Sequence, residues 1–217
     1  MKKKLIAISF VLTALITLVG CGGAVKYPNY YTLHVPPPPD PPVQKGVRAS
    51  LAVREFRSPT YLHQGAIVYK TSPEQIGFYN YHRWAVDPRE FVTNAVADRL
   101  RASGNFTEVK LYDGRCDVNY VLSGRLEKLE EVDYEGGVKV EVAISAQTTD
   151  LTTGAVVWTN TVSEVGTVGG RDVPAVVSEM NRTMERAIEK LLTPAPAGSA
   201  IQGDKLSVRR LDSVHRH

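Results

Sequence analysis

Val138-Lys139-Val140-Glu141-Val142-Ala143-Ile144, opening a segment that runs on to Thr149, decides the fold. Apolar residues at every second position put Val138, Val140, Val142 and Ile144 on one face of an extended chain, the signature of a strand buried on one side. Asp117 to Val132 precedes it across Glu135-Gly136-Gly137, so the two form a long antiparallel hairpin. Asp150-Leu151-Thr152-Thr153-Gly154 makes the next turn, and Ala155 to Val165 the next strand. Beyond it the period changes. Val173, Val176 or Val177, Met180, Met184, Ile188 and Leu191 recur at helical spacing, predicting an amphipathic helix over about Asp172 to Leu192 with its methionines in the core.

Upstream of the hairpin, Thr107 to Tyr112 reads as a strand and Asp87-Pro88-Arg89-Glu90 as the start of a helix. Asp87 can cap, Pro88 suits the first turn, and Glu90 can close a capping box. Phe91, Val92, Ala95, Val96 and Leu100 give that helix one apolar face, and Gly104 ends it. Val47 to Phe56, Ala66 to Lys70 and Ile76 to Tyr79 read as strands, as does Tyr30-Tyr31-Thr32-Leu33. Six prolines between Pro36 and Pro42 predict a stiff polyproline connector. The order β-β-β-β-α-β-β-β-β-α predicts a single α/β domain: a mixed, largely antiparallel sheet with two amphipathic helices on one face.

The amino terminus sets the compartment. Lys2-Lys3-Lys4 precede a predominantly apolar stretch of fifteen residues, Leu5 to Val19, whose end overlaps Leu18-Val19-Gly20-Cys21. Fifteen residues fall short of the roughly 20 needed to span a bilayer as a helix, so the stretch reads as an export signal. Small residues before a cysteine make it a lipoprotein signal, with residues 1–20 removed and acyl chains carried on Cys21. The plainer alternatives are an ordinary signal peptide with a coincidental cysteine, or an uncleaved anchor. Residues 21–29 then form a lipidated tether, 30–193 the domain and 194–217, rich in Pro, Ala, Gly and polar residues, a disordered tail. Eight residues from Gly22 to Asn29 reach at most about 28 Å, which keeps the domain near its membrane.

Charge narrows the partners. Removing three of the 26 basic residues with the signal leaves 23 against 23 acidic ones. A neutral domain lacks the concentrated positive charge that nucleic-acid binding requires, so membrane contact is expected through acyl chains. With Cys21 acylated, Cys116 has no intramolecular partner; it reads as a small residue after a turn, or as an intermolecular bridge or reactive thiol.

Catalytic and metal-binding constellations are not found. His34, His63, His82, His215 and His217 are scattered, and Asp212-Ser213 with His215 lies in the tail, where no triad geometry can be held. Gly166-Thr167-Val168-Gly169-Gly170 lacks the lysine of a phosphate loop and reads as a flexible turn, with an anion site at the helix start as the sharper alternative. Glu127, Glu130, Glu131 and Asp133 read as the solvated face of the hairpin. No enzyme, metal or dissociable cofactor is expected; the covalent lipid on Cys21 is the one attached group. Phe78-Tyr79-Asn80-Tyr81-His82-Arg83-Trp84-Ala85 stands out. It is either a packing corner with alternate rings in the core, or a contact surface presenting Tyr79, Tyr81, Arg83 and Trp84 to a partner.

At this cluster the chain resembles a known family. Tyr30-Tyr31-Thr32-Leu33, Leu51 to Phe56, Ser58-Pro59-Thr60-Tyr61-Leu62, Ile67-Val68-Tyr69-Lys70 and above all Tyr79-Asn80-Tyr81-His82-Arg83-Trp84 resemble, in that order after a lipobox, the ABC-type transport auxiliary lipoproteins, the PqiC-like family. The resemblance covers about Tyr30 to Leu192. It implies an α/β domain like the TolB amino-terminal domain and a non-enzymatic accessory subunit of an ABC transporter working with MCE-domain proteins on lipids or other hydrophobic molecules. It also implies an outer-membrane lipoprotein facing the periplasm, for which Gly22 after the cysteine is compatible, as is a homo-oligomer. A second reading is direct binding of a lipid or glycan. The tail after Leu192 departs from a minimal family domain.

Overall fold

Strands β1 (Asn29–Tyr31), β2 (Val47–Val53), β3 (Ala66–Ser72) and β4 (Gln75–Trp84) lead into helix α1 (Pro88–Ala102). Strands β5 (Phe106–Leu111), β6 (Tyr120–Val132), β7 (Lys139–Asp150) and β8 (Val156–Thr167) lead into α2 (Val173–Leu191). The structure, a computed structural model, describes residues 26–36, 47–115, 117–134 and 136–193. The segment expected to be a signal peptide, Cys21, most of the proline-rich connector, Cys116 and the tail after Thr193 lie outside the described residues. The element order is the one the patterning predicts, and each predicted boundary lies within a few residues except that of β4.

The β6–β7 hairpin is the axis. Its twelve registered pairs run from Tyr120↔Asp150 to Val132↔Lys139, with one irregularity between Leu126 and Lys128, and β8 continues it antiparallel along β7. The other side of β6 is shared. Its first part pairs in parallel with β2 at Leu51 to Val53, and β2 carries β5. Its last part pairs in parallel with β3 at Tyr69 and Lys70, and β3 carries β4 and then β1. One sheet of eight strands results, mixed in sense, with the long pairings antiparallel.

Both helices cover one face of it. Leu51 and Val53 of β2, Leu122, Leu126 and Leu129 of β6, and Val140, Val142 and Ile144 of β7 pack against Val92, Val96 and Leu100 of α1 and Val176, Met180, Met184 and Ile188 of α2, all essentially inaccessible to water. Each such side chain contributes roughly 1.5–3 kcal/mol of burial. The methionines are core, as expected. The caps are acidic: Asp87 Oδ1 accepts from Arg89 N at 2.9 Å, and Asp172 Oδ1 accepts from Ala175 N at 2.9 Å. Buried Thr93 of α1 accepts from Phe56 N at 3.0 Å, tying the chain beyond β2 to the helix. A small cluster of Ala52, Val118 and Val121 lies apart from this core.

Coverage is uneven. Helix α2 packs on β7 and β8, and α1 on β5, β2 and β6; neither packs extensively on β3, β4 or β1. Those three strands form a wing that projects from the second half of β6.

Two expectations need correction. The segment Tyr79 to Trp84 is not a corner but the second half of β4, because β1 supplies a parallel partner for His82, Arg83 and Trp84. A register shift between β3 and β4, with Val68 opposite Phe78 but Ala66 opposite Arg83, interrupts the alternation that would have announced it. The carboxylates of β6 are not all solvated. Glu130 and Glu131 are 1% and 4% exposed. Glu131 lies across from Val140, on the helix-covered side, while Glu130 is held by Lys70 Nζ at 3.2 Å beneath Tyr61 of a short 3-10 turn, Thr60–Gln64. A strand flanked on both sides, with a turn laid over one face, has no continuous solvent side for its acidic residues.

Candidate functional site

The wing gathers aromatic side chains from three strands. Tyr79 of β4 lies with its ring centroid 5.0 Å from that of Tyr69 on β3, the planes tilted by 56°. His82 meets Tyr79 edge-on at 5.6 Å, and a hydrogen bond of 2.8 Å joins His82 Nδ1 to the hydroxyl of Tyr31 on β1. These separations fall in the range where aromatic pairs attract beyond simple burial. Gly77, opposite Tyr69, makes the arrangement feasible: a Cβ there would overlap the Tyr69 ring. Tyr31, Tyr69, Tyr79 and His82 are all half-buried.

Beneath them lies Glu131. The Tyr79 hydroxyl donates to its Oε2 at 2.9 Å. Burial raises the carboxyl above the ordinary glutamate range; the bond from Tyr79 pulls the other way, and Asp133 adds to the rise. Burial, then the Glu131 bond and charge, push the Tyr79 phenol far above its ordinary range. Tyr61 responds in the same way, pushed up to about 12 by burial and by the charge of Glu130. Both phenols therefore stay protonated and donate.

The four residues singled out in the sequence do not act as one surface. Tyr79 belongs to the array. Tyr81, next to His82 and turned away from it, is 45% exposed and has Lys26 Nζ 5.8 Å above its ring. Arg83 is spent on the backbone, donating from Nη2 to the Gln64 carbonyl at 2.6 Å. Trp84 is 6% exposed and belongs to the core. The contributions of Tyr31 and Tyr69 were hidden from the sequence, because only strand pairing brings residues 31, 69, 79 and 82 together.

A second feature lies beside α1. The chain Thr32 to Pro36 crosses toward both helices, with His34 N donating to Asn181 Oδ1 at 2.8 Å and Arg99 Nη2 donating to the Pro36 carbonyl at 3.4 Å. Between this crossing and α1 is a groove of about 510 Å³, floored by Leu33, Val35, Phe91 and Ala95. Among the described residues no three His, Cys, Asp or Glu side chains gather as a metal site, and no helix is long and apolar enough to cross a membrane.

The overall fold is shared with solved structures. Protein XCC0632 from Xanthomonas campestris superimposes with a TM-score of 0.67 at 16% identity, over 82% of this chain and 99% of that one. An uncharacterised protein superimposes with a TM-score of 0.59 at 15% identity, over 77% and 98%. The PelC dodecamer from Paraburkholderia phytofirmans is a weaker likeness, with a TM-score of 0.47 at 20% identity over 74% and 96%. No curated protein matches the sequence. Residues 31–191, spanning strands β2 to β8 and both helices, match the ABC-type transport auxiliary lipoprotein component, and the chain belongs to that family.

Proposed function

We infer that this protein is an accessory subunit that works by docking other polypeptides and carries out no catalysis. Acyl chains on Cys21 hold it at the outer membrane, facing the periplasm, where it serves an MCE-type ABC transport system for lipids or other hydrophobic molecules. Family membership supplies the transport setting. The observation that carries docking is the wing, where half-buried Tyr31, Tyr69, Tyr79 and His82 are fixed by mutual ring contacts and by Glu131 while, among the described residues, neither helix packs extensively on their strands. Rigid aromatic groups with little rotamer entropy left to lose are the groups that dominate protein interfaces. Affinity purification from gently solubilised membranes tests this: an MCE-domain protein is expected to co-purify, and recovery of the chain with no transporter subunit would contradict it.

The groove beside α1 favours a second reading, direct binding of a hydrophobic molecule. Its volume and its apolar floor of Leu33, Val35, Phe91 and Ala95 suit an acyl chain. Native mass spectrometry separates the two, since a bound lipid mass is expected for direct binding and not for docking alone.

A further inference from the structure

The edge of the sheet nearest the amino terminus carries tyrosines that the core does not use. Tyr27 is 80% exposed, Tyr30 63% and Tyr81 45%. Strand β1 is the terminal strand of the wing, and Tyr30 lies opposite Arg83 in parallel register, so Tyr30 and Tyr81 share one face of that edge. Lys26 joins them, its ammonium over the Tyr81 ring. Exposed tyrosines beside a lysine form the combination that settles at a bilayer surface. The ring takes the boundary between glycerol and acyl chains, while hydroxyl and ammonium reach the phosphates.

Chain length puts this edge where such a surface would be. Lys26 lies five positions beyond Cys21; fully extended, those five steps span at most about 18 Å. A domain anchored at Cys21 cannot move its first strand far from the membrane, whereas the opposite edge, β8, is five strand spacings away, roughly 24 Å.

We propose that Tyr27, Tyr30 and Tyr81, with Lys26, form a lipid-headgroup contact that lays the β1 edge of the domain on the bilayer to which Cys21 is anchored. The proposal rests on acylation of Cys21, as the functional reading does, and adds an orientation to it. The contact leaves β8 pointing away from the membrane and turns the domain from a tethered sphere into a fixed one. Three partly immersed rings are too few to hold a protein by themselves; with the acyl chains retaining it, they need only bias its tilt.

The test uses the full, acylated chain reconstituted into vesicles of phosphatidylethanolamine and phosphatidylglycerol containing a headgroup spin-labelled lipid. In a Cys116→Ser background, a bimane fluorophore is placed through Tyr30→Cys, Tyr81→Cys or, as the control on the far edge, Val165→Cys, which replaces a residue 58% exposed. Intact mass verifies the acyl chains, and circular dichroism verifies the fold of each labelled protein. Several-fold stronger quenching at positions 30 and 81 than at 165 is the expected result. Equal quenching at the three positions, or none at 30 and 81, in protein whose mass carries the acyl chains overturns the contact and leaves the anchor standing. A mature mass without acyl chains overturns the anchor and the contact together.

Discussion

Trp84 and Glu131 show how one residue's surroundings decide its role. Trp84 sits in the densest part of an interface-like sequence, yet it is core, and among the described residues its Nε1 has no hydrogen-bond partner. Trp84→Ala is expected to lower stability by about 3–5 kcal/mol through loss of packing. Trp84→Phe should retain most of it, because no bond to the indole nitrogen is lost; urea denaturation of the two variants measures the difference. Glu131 bears on pH. The unfolded chain ionises it at the ordinary glutamate value, while the folded protein holds the proton to higher pH because the site is buried. Folded protein therefore binds more protons in that window, and this residue's contribution to stability falls as pH rises through it. Glu131→Gln, which keeps an acceptor for Tyr79, should raise stability at neutral pH and flatten the slope on its acid side, as followed by urea midpoints across that range.

At the level of elements, the long alternating and helical runs were legible and the pairings were not. Val140, Val142 and Ile144, and Met180, Met184 and Ile188, announce their strand and helix because each buries a single regular face. The second half of β4 does not, since its register shift breaks the period and its partner β1 is three residues long and some fifty positions away. The burial of Glu130 was illegible for the same reason: Lys70 and Tyr61 reach it only through the fold. Helix α2 and β8 offer a sharper case. Glu179, 6% exposed, accepts from Arg182 Nε at 2.8 Å, Thr183 Oγ1 at 3.1 Å and Arg186 Nη2 at 3.3 Å, and lies against Gly166 of β8. Burial opposes its ionisation, but these donors together outweigh it and hold the carboxyl below the usual range. A Cβ at position 166 would overlap both Glu179 and Thr183. Gly166→Ala is thus expected to destabilise the domain by about 1–3 kcal/mol through forced displacement of the pair, read as a lowered thermal midpoint. A change within error would mean that the helix rides clear of the strand.

For the whole molecule, the account is one of unequal coverage. Two helices shield one end of an eight-stranded sheet, and the remaining wing turns half-covered aromatic rings outward while its outermost strand is the one nearest the amino terminus in sequence. The lipobox and the aromatic cluster made the setting legible in the sequence; the division of that cluster into core, array and exposed residues had to come from the fold. The most direct test is the affinity of the purified domain for a purified MCE-domain partner, comparing the wild type with His82→Ala and with Val165→Asp on the far edge. Docking through the wing predicts that His82→Ala weakens binding about tenfold, or 1.4 kcal/mol, while Val165→Asp leaves it unchanged. Unaltered affinity in His82→Ala, or binding lost only in Val165→Asp, would contradict it.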